Sequence, residues 1–359
     1  MRDGMRRRYA ILAIDRFKED AKTAHGVIRY GADEIVAVID PSLAGQRVRD
    51  VLAHLESDAP IVATVGEALA FSPTSLLIGT APKGGGLPAP WRGAVSEAIA
   101  ARLEIVSGLH EMLDEDREFR VAARAAGTTI WDVREPPDVP LFAGDVYAVE
   151  APILLTVGND CAVGKMTASL ELVRAATAAG RAARFVPTGQ TGVLVAGWGI
   201  SVDRVVADFA AGAAEQLVLY AAHERADLII VEGQGAINHP AYAAVTVALM
   251  TGCAPDALVL VWDPRRLHID PYPTPTLAYA QSVALHERLL AAVKPAPVIG
   301  IALNTHGLSE SQARGEIARA REATGLPADD LVRFGADAFY AQISTRIVKR
   351  PALSSSNDG

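Results

Sequence analysis

Short apolar runs alternate with longer alanine-rich, charged stretches along most of the chain. From Arg8 to Val133 the runs are Ala10–Ile14, Ile35–Ile39, Ile61–Ala63, Ser75–Ile78, Ile105–Val106 and Thr129–Val133. Strands apolar along their whole length need cover on both faces, and intervening helices supply it, so the pattern predicts a parallel sheet between helical layers. Pro136, Pro137 and Pro140 interrupt the rhythm and suit an extended connector, placing a domain boundary near 134–150. A second alternation begins at Ile153–Val157, passes through a helix after Lys165, and has further strands at Ala183–Pro187, Leu228–Val231, Leu258–Trp262 and Val298–Leu303. The expected fold class is α/β with two doubly wound domains. The first, 1–140, is Rossmann-like; the second, 141–350, is P-loop NTPase-like with a mostly parallel sheet; 351–359 is a loose tail rich in Ser, Asn and Asp.

Composition agrees with this division. At 359 residues the chain exceeds one ordinary core, and half of its residues are hydrophobic while only 6% are aromatic, which suits helices on buried sheets. A net charge of −8 argues against a general nucleic-acid binder, so an anionic ligand must be held by local positive groups and backbone dipoles. Two cysteines, Cys161 and Cys253, make neither a disulfide framework nor a four-ligand zinc site, and fit a reducing cytoplasm. The apolar run Tyr9–Ile14 behind the N-terminal arginines is too short for a signal-peptide core. No run approaches the roughly 20 apolar residues of a membrane helix. The expected partner is a small molecule, with neither nucleic acid nor membrane. Alanine-rich helices and proline-rich loops point to a homo-oligomer.

The segment Thr156–Thr167 carries the clearest chemistry: an apolar strand, a glycine-bounded loop, Lys165, then a helical stretch. Loop N–H groups and the positive end of a helix face an anion, and the lysine adds a point charge, so the segment reads as a phosphate cradle. Two features depart from the usual pattern. Five residues rather than four separate Gly158 from Gly164, and Met166 stands where a Mg²⁺-binding hydroxyl normally follows the lysine, with Thr167 one step late. Downstream, Leu228–Val231 ends in Glu232 and Gly233, where an acid often holds a metal directly or through water. A helix cap is the plainer alternative. In the first half, Gly79–Pro88 sets Gly84, Gly85 and Gly86 beside Lys83, either for close approach to a phosphate or carboxylate or as a surface connection.

Gly158–Lys165, Pro187–Gly192 and Val231–Gly235 resemble the dethiobiotin synthetase branch of phosphate-loop proteins. Asp160–Thr167, Gly189–Gly192, Glu232–Gly235 and His239-Pro240, behind a nucleotide-binding-like first domain, are similar to the D-glutamate N-acetyltransferase family, long catalogued as a domain of unknown function. That resemblance covers essentially the whole chain. It implies transfer of acetyl from acetyl-CoA, as co-substrate, to the amine of D-glutamate or a related acidic amino acid. A cradle without its hydroxyl ligand suits CoA phosphates, which need only be held, better than ATP, whose cleavage relies on Mg²⁺.

Acyl transfer to an amine needs a base and donors for an oxyanion. The catalytic candidates are Glu232, His239 and Asp160; His239 is open to a plain loop-bonding role, and Asp160 either binds an ammonium group or bonds its own loop. The cofactor set is Gly158, Asn159, Cys161, Ala162, Val163, Gly164, Lys165, Met166, Thr167 and, for the adenine, Asn304. Cys161 also invites a covalent acyl-enzyme, since a helix N-terminus lowers a thiol pKa. A substrate with two carboxylates favours arginine forks, so Arg204 and Arg266 (with Arg265 a further possibility), together with Gln190 and Thr191, are the substrate candidates. No metal is assigned. Two rival readings stay open: an ATP- and Mg²⁺-dependent kinase or ligase on a small carboxylic acid, and a non-catalytic nucleotide-sensing protein.

Overall fold

In the computed structural model the described residues are 6–80, 82 and 84–348. Ala81, Lys83 and the 351–359 tail, all parts of expectations above, lie outside them. The chain divides into two compact units: residues up to Pro136 with Gln190–Ser201, and Pro137–Gly189 with the chain from Val202 onward. Among the described residues no helix is long and apolar enough to cross a membrane.

The first unit holds strands β1 (Arg8–Leu12), β2 (Glu34–Ile39), β3 (Ile61–Val62), β4 (Ser75–Ile78), β5 (Glu104–Ser107) and β6 (Ile130–Asp132). They form one sheet in the order β3-β2-β1-β4-β5-β6, with every neighbouring pair parallel. This is the dinucleotide-fold order, reversing between β1 and β4. Side chains alternate between two cores: Ala10, Leu12, Ile39, Leu76 and Ile78 join one, and Tyr9, Ile11, Val38, Leu77 and Val106 the other. The helix Gln190–Ala196 contributes Val193 and Leu194 to that second core, which is why a single cut of the chain does not separate the units. In the Gly79–Pro88 loop, the carboxylate of Glu111 accepts the Leu87 N–H (2.6 Å), and the Gly85 carbonyl accepts from His110 and Glu111.

The second unit holds β7 (Ile153–Gly158), β8 (Ala183–Val186), β9 (Leu228–Val231), β10 (Ala257–Trp262), β11 (Val298–Leu303) and β12 (Ala328–Asp329). Their order is β12-β11-β10-β7-β9-β8, again parallel throughout. The apolar runs read from the sequence all appear. β11 is followed by the two-residue β12, too short to show in the pattern. The central three strands, β9, β7 and β10, are wholly buried, and their carboxyl ends lie side by side. Three loops distant in sequence are thereby brought together: 159–164, 232–242 and 263–275.

Local sequence sets the element ends. The helix Glu310–Thr324 starts at Ser309, whose hydroxyl accepts the Gln312 N–H, and stops at Gly325 with φ +67°. The connector after Pro137 is pinned by Glu215, fully buried, whose carboxylate accepts the N–H groups of Ala143 (2.7 Å) and Val146 (3.1 Å). Gly212, one turn earlier on the same helix, lies against the connector so closely that a Cβ there would stand 2.0 Å from the Pro140 carbonyl oxygen. Gly212→Ala is therefore expected to lower stability by about 1–3 kcal/mol, as overpacked sites do, read as a shift of the urea midpoint. An unchanged midpoint would contradict this packing.

Candidate functional site

The loop between β7 and the helix Lys165–Ala178 reverses sharply, with Ala162 at φ +56° and Gly164 at φ +107°. Lys165 opens the helix and is only 6% exposed. Its stem passes over two glycines: a Cβ at Gly158 would lie 3.1 Å from Nζ, and one at Gly233 would lie 3.3 Å from Cδ. The ammonium donates to the Asp160 carbonyl in its own loop (2.8 Å). Burial lowers its pKa, and the nearby Cys161, Asp160 and Glu232 oppose that shift. The rest of the loop is braced from β10 and β11. Asn159 exchanges hydrogen bonds with the Asp263 backbone (3.2 and 3.1 Å), and Asn304 Nδ2 donates to the Val163 carbonyl (3.2 Å). Met166 and Thr167 are half-buried on the first helical turn.

Glu232, 7% exposed, follows β9 directly. Its Oε2 accepts the N–H groups of Thr188 (3.0 Å) and Gly189 (3.2 Å), while its carbonyl accepts the Thr188 hydroxyl (2.8 Å). Burial raises the carboxyl pKa to about 7, and those two N–H groups and Lys165 hold back a larger rise. A carboxylate poised near neutrality beside a phosphate-type lysine suits proton transfer. Next to it, a Cβ on Gly233 would stand 1.7 Å from the Thr156 carbonyl oxygen, so no other residue fits there.

Asp160 is fully buried and already accepts two backbone N–H groups, from Cys161 (2.6 Å) and Asp270 (3.1 Å). These bonds tie the phosphate loop to the 263–275 segment. Two cationic-type groups approach it without reaching hydrogen-bond distance: His239 Nε2 at 3.8 Å from Oδ1, and Arg266 Nε at 3.9 Å from Oδ2. His239 is 1% exposed, and its Nδ1 accepts the N–H groups of Ala241 (3.1 Å) and Tyr242 (3.2 Å), capping the turn after Pro240. The rings of Tyr242 and Tyr272 pack against it.

The ligating atoms of Asp160, Cys161 and His239 lie within 4.8 Å of one another, a donor set by residue type. The arrangement does not suit a cation. A ligating imidazole keeps its proton on the nitrogen away from the metal, where it donates to an acceptor. Here that nitrogen, Nδ1, faces two N–H donors.

The remaining candidates scatter. Arg265 is engaged by Asp263, through Nε (2.9 Å) and a second nitrogen (2.7 Å). Arg204 is exposed on the short turn Val202–Arg204. Gln190 and Thr191 fold with the first unit, where Gln190 packs on Gly108 and the Thr191 hydroxyl lies 3.3 Å from that of Thr23. Three further residues stand beside the candidates. The buried pair Thr156 and Ser169 (hydroxyls 3.1 Å apart) supports the Gly233 N–H, and His286 sits wholly buried on the helix Tyr279–Ala291. His286 donates Nδ1–H to the Ser282 carbonyl (2.7 Å), and burial lowers its pKa to about 4, so it stays neutral at ordinary pH.

Residues 140–340 match the domain of unknown function (DUF1611_C) P-loop domain, and residues 41–136 match the domain of unknown function (DUF1611_N) Rossmann-like domain. A protein of Tritonibacter scottomollicae named D-glutamate N-acetyltransferase is 37% identical over 319 residues, covering 88% of this chain and 92% of that one. One of a Pseudoalteromonas species with the same name is 33% identical over 322 residues, covering 87% and 95%. The crystal structure of a DUF1611 family protein from Anabaena variabilis superposes with a TM-score of 0.89 at 38% identity, covering 94% of this chain and 99% of that one.

The Glu232 carboxyl gives a pH signature. Its folded pKa of about 7 lies above the ordinary 4.5, so its stabilising contribution is complete below about 4.5 and is lost as pH rises through 7. Relative to Glu232→Gln, the native chain should lose roughly 3 kcal/mol between those limits, at ~1.4 kcal/mol per unit. Parallel denaturation curves at pH 4.5 and 7.5 check this; an equal difference at both would contradict a raised pKa.

Proposed function

This chain belongs to the DUF1611 family, and on that premise we propose that it transfers the acetyl group of acetyl-CoA to the amine of D-glutamate or a close acidic analogue. The observation that carries the reading is the cradle itself: Lys165 at a helix start after a glycine-bounded loop, with the half-buried Met166 where a metal-binding hydroxyl would stand. The names of the two relatives supply the chemistry. Lys165 and the Gly158–Thr167 backbone hold the CoA phosphates. Glu232 takes the amine proton, the nitrogen attacks the thioester carbonyl, the C–S bond breaks, and the thiolate leaves to be protonated. Arg266, 31% exposed and paired at long range with Asp160 (3.9 Å) and Asp270 (3.8 Å), takes a substrate carboxylate. The reading places a small-molecule enzyme in the cytoplasm.

Glu232 lies within electrostatic reach of Lys165, so the pantetheine arm must fold back over the loop to bring the thioester to it.

The same closeness favours a second reading, in which Glu232 holds Mg²⁺ beside the phosphates of ATP and the protein is a kinase or ligase on a small carboxylic acid. Thiol release on mixing acetyl-CoA and D-glutamate supports the first reading; phosphate or ADP release that needs Mg²⁺ supports the second. Under the first, Lys165→Met raises the KM for acetyl-CoA about 10- to 100-fold, the size of a lost charged hydrogen bond, while Thr167→Ala stays near the native rate. No thiol release over a panel of D- and L-amino acids would overturn it.

A further inference from the structure

His239 carries the one buried side-chain nitrogen among the described residues that both meets no hydrogen-bond partner and faces the loop acid. The other unpartnered imidazole nitrogen, on His286, is its chemical opposite. There a carbonyl takes Nδ1–H, so the orphan Nε2 is an acceptor. In His239 two backbone N–H groups point at Nδ1, at 3.1 and 3.2 Å, and a protonated Nδ1 would be held against both donors. The neutral ring must therefore carry its proton on Nε2. That N–H is only 3.8 Å from Asp160 Oδ1, too far for a hydrogen bond, and Oδ1 already holds the Cys161 N–H. A buried N–H left without an acceptor is costly, and an oxygen supplied from outside relieves that cost.

We propose that His239 acts through Nε2 as a fixed hydrogen-bond donor to a carboxylate or carbonyl oxygen of the bound ligand, and not as a proton acceptor. Proton abstraction then falls to Glu232 alone. The role concerns the site described above, but its first test is independent of acetyl transfer.

The tautomer is read directly from long-range ¹H–¹⁵N correlation spectra of the full chain labelled at histidine, with His239 assigned by the signals lost in His239→Asn. The expected result is an unprotonated Nδ1 and a protonated Nε2 at neutral pH; a proton on Nδ1 overturns the proposal. D-glutamate and CoA, each added alone to a concentration that calorimetry shows to be saturating, then distinguish a substrate oxygen from a CoA oxygen by which one moves the Nε2 signal. Binding of both without movement of Nε2 overturns the donor role. Binding of neither counts against acetyl transfer and leaves the tautomer to decide. In His239→Asn the amide oxygen replaces Nδ1 as the cap but no donor reaches the Nε2 position. This variant should keep its melting temperature and lose about 10- to 100-fold in kcat/KM, part of which His239→Gln restores with its longer amide. Full activity in His239→Asn overturns the proposal as well.

Discussion

Lys165 holds an ammonium group where water barely reaches, and a buried charge is tolerated only where opposite charges and hydrogen bonds replace its hydration. Much of the second unit answers that demand. The Asp160 carbonyl takes the ammonium, while Glu232 and the Asp160 side chain lie within electrostatic reach on loops from adjacent strands. Gly158 and Gly233 leave room for the stem, and at Gly233 the room is absolute, since any Cβ would overlap the backbone of the next strand. The same crowding raises the Glu232 pKa. One buried cation thus accounts for the shape of the loop, while burial, against which that cation works, accounts for the basicity beside it.

Topology explains why residues as distant as Asp160, Glu232 and Asp263 meet. In a parallel sheet every strand ends on the same edge, and β7 lies between β9 and β10, so three successive carboxyl ends open toward one place. Asp263 holds the Arg265 guanidinium, but the other two acids are anchored by backbone N–H groups: Glu232 by Thr188 and Gly189, Asp160 by Cys161 and Asp270. That anchoring leaves Arg266 and the Nε2–H of His239 close to the loop acid without a bond to it.

The strands were legible because a doubly covered parallel sheet demands unbroken apolar runs, and Leu228–Val231 or Ile153–Gly158 can hardly be read otherwise. The phosphate loop and Glu232 were legible for a similar reason, since glycines and an acid at strand ends leave a local mark. What escaped depends on long-range placement. The residues Gln190 and Thr191 follow directly on the second unit's Thr188 and Gly189, yet Val193 and Leu194 carry their helix into the first unit's core. The two-residue β12 is too short to show a pattern. Whether Asp160 faces a ligand or its own loop, and which nitrogen of His239 holds the proton, is set by backbone N–H groups that spacing does not reveal.

The proposed reaction requires the cradle to hold CoA by its phosphates and to turn the thioester back toward Glu232. Crystallography of the chain with bound CoA tests it most directly. The expected result is phosphate density against Lys165 and the Gly158–Thr167 backbone, with the sulfur folded back beside Glu232. Phosphates bound elsewhere, or an arm extended away from Glu232, would contradict it.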